Sequence, residues 1–187
     1  LKSLIVVRHC EAEGQDWEAP LTTNGFTQAN ELTKFFINRN DSVSKIISSP
    51  YKRAIQTIQP LATYLQKKIV KDERLSERVL SPTPLDNWTE VLEQSFENLD
   101  FSIEGGESNR QAFQRVAPLI RSELESEEST VVFVTHGNLM TCILKYFDPQ
   151  IGFQEWKSLS NPDVFQVTFC PKGTTLNRIW SEQITCK

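Results

Sequence analysis

The sequence predicts an α/β fold: a three-layer αβα sandwich with a largely parallel, mixed central sheet and a helical insertion over the sheet's carboxyl edge. Three observations predict it. Short apolar runs rich in β-branched residues alternate with helix-period segments along most of the chain, the pattern of strands joined by crossover helices. Two of those runs, residues 4–7 and 131–134, break abruptly into Arg8-His9 and Thr135-His136, as buried strands do where they emerge at a sheet edge. The last two runs are joined only by Pro171-Lys172-Gly173, a turn signal that adds an antiparallel pair. With no internal repeat or low-complexity linker in 187 residues, a single domain over 1–187 is expected, with an insertion at about 77–106.

The elements follow in order. The first strand, 4–7, leads into a loop over 11–20 and then Leu21-Thr22-Thr23-Asn24-Gly25. Thr22 or Thr23 can cap a helix over about 25–39, whose Ala29, Leu32, Phe35 and Phe36 share a face. A second strand at 44–48 is apolar at Ile46 and Ile47 and ends at Ser48-Ser49-Pro50. A helix over 51–67 is expected next, with Pro50 at its first position behind a serine cap, which puts Arg53 in the first turn near the strand's carboxyl end. A short strand at 68–71 follows, proline and serine break 79–87 into loop, and helical spacing resumes over 85–99 before failing at 101–106. The next helix starts near Glu107, where Glu107 and Ser108 read as capping residues, and runs to about 125 with Phe113, Val116, Leu119 and Ile120 inward. The charge run at 123–128 reads as its solvated end. After the strand at 131–134 comes an amphipathic segment, 139–146, and then strands at 164–170 and 175–180.

Composition narrows the partners. Twenty Lys and Arg against 24 Asp and Glu leave a net charge of -4, which argues against nucleic acid or an anionic membrane as the main partner. The four cysteines, Cys10, Cys142, Cys170 and Cys186, are scattered without a CxxC or a Cys/His cluster, so neither a metal site nor a disulfide framework is expected. Leu1-Lys2-Ser3 leads straight into a short strand, too brief for a signal peptide's apolar region or a membrane span, and a cytoplasmic location is expected. Oligomeric state is left open.

The chain has only two histidines, and each directly follows a buried-type strand. Taken alone, Arg8 and His9 could be a solvated strand end. Parallel strands, however, would bring both imidazoles to one sheet edge, where ligands of α/β proteins collect. Arg8 and Arg53 would add two guanidiniums, planar forks of donors matched to phosphate oxygens. One neutral imidazole could then attack phosphorus while the other stabilises charge on the equatorial oxygens, and the Gly137 amide, at a helix start, offers a further donor. His9 beside two guanidiniums should have a lowered pKa.

Six blocks occur in the order seen in the histidine phosphatase superfamily, the phosphoglycerate-mutase-like proteins, which the chain resembles over about residues 4–180: Arg8-His9-x-Glu11, Leu21-Thr22-x-x-Gly25, Ser48-Ser49-Pro50-x-x-Arg53-Ala54, Arg74-Leu75-x-Glu77, Gly105-Gly106-Glu107-Ser108 and Thr135-His136-Gly137. The resemblance implies that His9 is the nucleophile that becomes phosphohistidine. It implies that Arg8, Arg53 and His136 bind the phosphoryl group, and that Glu77 is the general acid which protonates the leaving oxygen and then serves as base toward water. A rate falling at high pH would follow. For Glu77 the plain alternative is a surface ion pair with Arg74 or Arg78.

Departures from the family pattern carry information too. Cys10 stands where relatives have glycine, and a buried thiol is expected there. A cysteine phosphatase would need an arginine six positions after Cys10; that position is Asp16, whose charge would repel the substrate. Ala12 and Gln15 replace a usual threonine and asparagine, although Gln15 still offers an amide donor to phosphate. No cluster of added basic residues marks 77–106, so net hydrolysis is expected over mutase action. Trp88, Phe96, Phe101 and Phe153 could line an apolar pocket but are more simply core. The expectation is a metal-independent phosphatase, with no cofactor, that hydrolyses small phosphorylated metabolites. The alternatives are mutase-type phosphoryl transfer and a catalytically weak phosphate-binding module; a phosphoprotein phosphatase is disfavoured by the insertion.

Overall fold

The computed structural model describes residues 2–180; Leu1 and residues 181–187, Cys186 among them, lie outside the described residues. Six strands form one sheet: β1 (Lys2–Arg8), β2 (Lys45–Ser48), β3 (Ile69–Lys71), β4 (Thr130–Thr135), β5 (Asp163–Cys170) and β6 (Gly173–Arg178), in the order β3-β2-β4-β1-β5-β6. Pairing is parallel from β3 through β2 and β4 to β1, and antiparallel from β1 to β5 and from β5 to β6. The sheet is therefore mixed, with its antiparallel part at one side, as the sequence predicts.

Alternate residues of β1 feed opposite layers, because successive side chains of a strand point to opposite faces. Ile5 and Val7, with Ile46, Val132 and Val134, pack under α1 (Thr23–Arg39) and α2 (Lys52–Tyr64) through Leu32, Phe36, Ile58 and Leu61. Leu4 and Val6, with Val131 and Phe133, pack under the fourth and fifth helices in chain order through Val116, Ile120, Leu139 and Ile143. Those helices are α4 (Asn109–Glu125) and α5 (Gly137–Phe147); α3 (Trp88–Glu97) lies within the 77–106 segment and packs on α6 (Phe153–Ser158). This double burial explains why the strands read as continuous apolar runs.

Register does the rest. In the β1–β4 pair Arg8 lies opposite Thr135, so His9 and His136, each the next residue along, leave the sheet side by side at its carboxyl edge. Thr22 caps α1 by accepting the Gly25 amide at 2.9 Å. Gly25 itself admits no side chain, since a Cβ there would sit 2.0 Å from the Glu11 carbonyl oxygen, which accepts the Thr22 amide at 3.0 Å and ties the 11–20 loop to the helix start.

Several local expectations are corrected. α2 begins at Lys52, behind an extended Tyr51 with no side-chain cap, rather than at Pro50. The strand pairing runs on instead: the Ser49 amide bonds the Val134 carbonyl at 2.8 Å, and the Ser49 hydroxyl, 2.8 Å from His136 Nε2, accepts the Tyr51 amide at 3.3 Å without capping the helix itself. The same helix stops at Tyr64, before a left-handed Gln66. Helix α6, six residues long, has no counterpart in the sequence reading, and β6 covers Gly173–Arg178 rather than 175–180. Glu123 is not a solvated helix end: it is buried and paired with Lys45 at 2.7 Å.

Candidate active site

His9 is fixed by four hydrogen bonds. Its amide bonds the Thr135 carbonyl at 3.0 Å, and its carbonyl accepts from Asn161 Nδ2 at 2.7 Å. Its ring Nδ1 lies 2.6 Å from the Cys10 carbonyl oxygen, which can only accept, so the proton belongs on Nδ1 and the lone pair on Nε2. Arg53 Nε, at 3.3 Å, donates to that lone pair. Burial pushes the imidazole pKa down to about 3, against the opposing bond to Cys10, and the guanidiniums of Arg53 and Arg8 add to the fall. The direction is the one expected from sequence, but desolvation outweighs the guanidiniums as its cause.

His136 lies with its ring centroid 5.0 Å from that of His9, at 64°. It is fully buried, its Nε2 is 2.8 Å from Ser49 Oγ, and its Nδ1 meets no partner among the described residues. Burial and then His9 and the nearby guanidiniums hold its pKa well below the usual histidine value. Tyr51 packs edge-on against it at 4.8 Å.

The two guanidiniums arrive from different elements. Arg53, in the first turn of α2, is 1% exposed and donates through Nη1 to the carbonyls of Gln15 at 3.0 Å and Asp16 at 2.8 Å. Its fork stacks over the Tyr51 ring at 4.7 Å. Arg8, at the end of β1, donates through Nη1 to the carbonyls of Leu159 and Ser160 at 3.2 and 3.3 Å, while its buried Nε has no partner among the described residues. A Cβ on Gly137 would stand 3.3 Å from that Nε, so glycine lets the guanidinium lie against the start of α5. Burial pushes both arginine pKa values down. Neither forms an ion pair with a carboxylate among the described residues, and the nearby Asp163 is committed to Arg178 at 2.6 Å. Two desolvated cations without a paired anion are costly unless an anion belongs between them. With the unpartnered His136 Nδ1, the arrangement suits a dianionic tetrahedral group and an in-line nitrogen.

Glu77 sits at the start of α5. Its Oε1 accepts from the amides of Arg78 at 2.8 Å and Leu139 at 3.0 Å, and its Oε2 from the amide of Asn138 at 3.1 Å. The surface ion pair is excluded: Arg74 chelates Asp72 at 2.9 and 2.7 Å, and Arg78 turns inward to Asn109 and Ser95. Oε2, accepting once, keeps a lone pair for a proton.

Other sequence expectations divide. Gln15 joins the site through its main-chain carbonyl, which accepts from Arg53, while its side chain is exposed. Cys10 is fully buried with Leu21 and Ala29, and burial pushes its thiol up to about 12, which leaves no thiolate. Ser108 caps α4, whereas Glu107 instead chelates Arg115. Phe96 and Phe153 pack on each other, and Trp88 on Trp156, in the α3–α6 layer. The aromatic residues beside the site are Trp17 and Tyr51. They line a cleft of about 760 Å³ that also takes in Glu77, Val79, Gly106 and Arg115. The gripping residues Ser49, Asn161 and Thr57, whose hydroxyl accepts the Cys10 amide at 2.9 Å, carry no signal in the sequence beyond Ser49's place in a strand-end motif. Among the described residues, no group of three or more His, Cys, Asp or Glu is placed to hold a metal ion, and no helix is long and apolar enough to cross a membrane.

The profile of the histidine phosphatase superfamily (branch 1) matches residues 4–181. Human 6-phosphofructo-2-kinase/fructose-2,6-bisphosphatase 4 is 31% identical over 78% of this chain and 33% of its own length. A probable phosphoglycerate mutase of Yersinia pestis is 31% identical over 74% of this chain and 71% of its own. The chain thus spans only about a third of the length of the large eukaryotic relatives it matches. Among solved structures, a mycobacterial glucosyl-3-phosphoglycerate phosphatase superposes with a TM-score of 0.75 at 21% identity, covering 95% of this chain and 98% of that one.

Proposed function

The chain belongs to the histidine phosphatase superfamily, branch 1, and on that footing we propose that it is a metal-independent phosphomonoesterase working through a phosphohistidine at His9. The observation that carries the reading is the ring of His9: Nδ1 bound to the Cys10 carbonyl leaves an unprotonated Nε2 beside Arg53 and 5.0 Å, ring to ring, from His136.

In the first step His9 Nε2 attacks phosphorus, the N–P bond forms, and the ester P–O bond breaks. The departing oxygen takes the proton held on Glu77. Arg8, Arg53 and the Gly137 amide donate to the equatorial oxygens as charge moves onto them, and His136 does so through a ring N–H. A pre-aimed donor of this kind is worth about 3–4 kcal/mol. In the second step water attacks phosphorus, gives its proton to the Glu77 carboxylate, and the N–P bond breaks, restoring neutral His9. Proton transfer by a positioned carboxyl contributes roughly 10²–10⁴ in rate. Depression of the His9 pKa to about 3 keeps the nucleophile unprotonated across the physiological range, so no base is needed to activate it.

Small phosphorylated metabolites are the proposed substrates, and the net charge of -4 gives no support to nucleic acid. The test is phosphate release from a panel of phosphorylated metabolites that includes 3-phosphoglycerate, with chelator present. Release that His9→Ala abolishes is expected. Isomerisation of phosphoglycerate without release would replace this reading with mutase action, and tight orthophosphate binding with no turnover would replace it with a binding module.

A further inference from the structure

We infer that the cleft beside the phosphoryl site selects phosphomonoesters of uncharged aromatic alcohols and rejects leaving groups that carry a second anion; the inference rests on the phosphatase reading above and deepens it.

Two features of the cleft carry it. The first is an aromatic path leading out of the site. The ring of His136 abuts Tyr51 at 4.8 Å, and Tyr51 abuts Trp17 at 4.6 Å, tilted by 46°. Trp17, 45% exposed, presents ring surface at the cleft, and Val79, also 45% exposed, lines it too. A ring attached to the phosphoryl oxygen would meet these surfaces first, in offset or edge contact.

The second feature is the state of the charges. Two cations line the cleft, and both are committed. Arg115 chelates Glu107 at 2.8 and 2.9 Å and gives Nη1 to the carbonyls of Arg74 and Ser76 at 2.8 and 3.2 Å. Arg74 chelates Asp72. Glu73 and Glu77 also line the cleft, and among the described residues neither forms an ion pair. With Glu77 carrying the proton for the leaving oxygen, a carboxylate or second phosphate on the leaving group would face the Glu73 carboxylate and find its potential counter-ions occupied, an arrangement that rejects rather than binds.

The experiment compares phenyl phosphate with 4-carboxyphenyl phosphate, whose leaving oxygens are similar and which differ by one anion, and adds glycerol 2-phosphate as an alkyl reference. In the wild type, kcat/KM for phenyl phosphate is expected to exceed that for the 4-carboxy ester by tenfold or more. Glu73→Gln should narrow that ratio at least threefold. Trp17→Ala should lower kcat/KM for phenyl phosphate at least fivefold more than for glycerol 2-phosphate. Equal rates for the two aryl esters, or a Trp17→Ala loss independent of the ring, would overturn the inference and leave the phosphatase reading standing. Absence of phosphate release from all three esters would overturn both.

Discussion

Two neutral imidazoles buried in one site must make the fold sensitive to acid in a way that can be counted. An unfolded histidine takes up a proton near pH 6.5, whereas folded His9 does so only near pH 3. Between those values the unfolded state binds one more proton than the native state, so stability is complete above about pH 6.5 and falls as pH drops through that window. For His9 alone, the linkage relation gives a loss of about 2 kcal/mol between pH 7 and pH 5 and about 3 kcal/mol between pH 7 and pH 4. His136, also held well below its usual value by burial, acts with the same sign. Urea unfolding of the wild type and of His9→Gln in phosphate-free buffer isolates the effect, since acid losses from carboxylates elsewhere are common to both. The variant is expected to be weaker at neutral pH but to lose about 2 kcal/mol less than wild type on going to pH 5. Parallel losses would refute the buried neutral imidazole on which the mechanism rests.

Other consequences follow from individual contacts. Glu77→Gln should slow hydrolysis of alkyl esters by roughly 10²–10³ while barely touching esters of acidic phenols; equal losses on both would deny Glu77 its acid role. Because the same substitution sets an amide against the N–H donors at the start of α5, it should also cost about 1–2 kcal/mol in urea unfolding. Gly137→Ala puts a methyl group 3.3 Å from Arg8 Nε and should weaken orthophosphate inhibition about tenfold with little change in fold, read by competition kinetics and circular dichroism. Iodoacetamide at pH 8 should label exposed Cys170 while buried Cys10, its thiol pushed up to about 12, stays unmodified and activity is kept. Inactivation that phosphate prevents would place the Cys10 thiol in the pocket.

The parts of the site legible in the sequence are those whose identity is tied to a strand end. Residues 4–7 and 131–134 announce buried parallel strands, and the histidine after each then has nowhere to go but a shared edge, which the Arg8–Thr135 register confirms. Arg53 is legible from its offset from the second strand. Illegible were the partners that act through the main chain: the carbonyls of Gln15, Asp16, Leu159 and Ser160 grip the guanidiniums, and any residue type supplies a carbonyl. For the same reason the sequence points to Gln15 through its side-chain amide and is silent on its carbonyl. Glu77 was legible as an acid, but its three amide partners depend on how 77–78 meets the start of α5, a tertiary contact without local signal. Glu123 shows the converse: a charge run reads as solvent-facing until an opposite charge from a distant strand, here Lys45, closes over one member.

The central claim is a covalent one, and rapid quenching with a phosphorus-labelled aryl ester tests it most directly. The label should appear on the peptide containing His9, survive alkali, be lost in acid, and be missing from His9→Ala. Full turnover with no such adduct, or with the label on any other residue, would contradict the account.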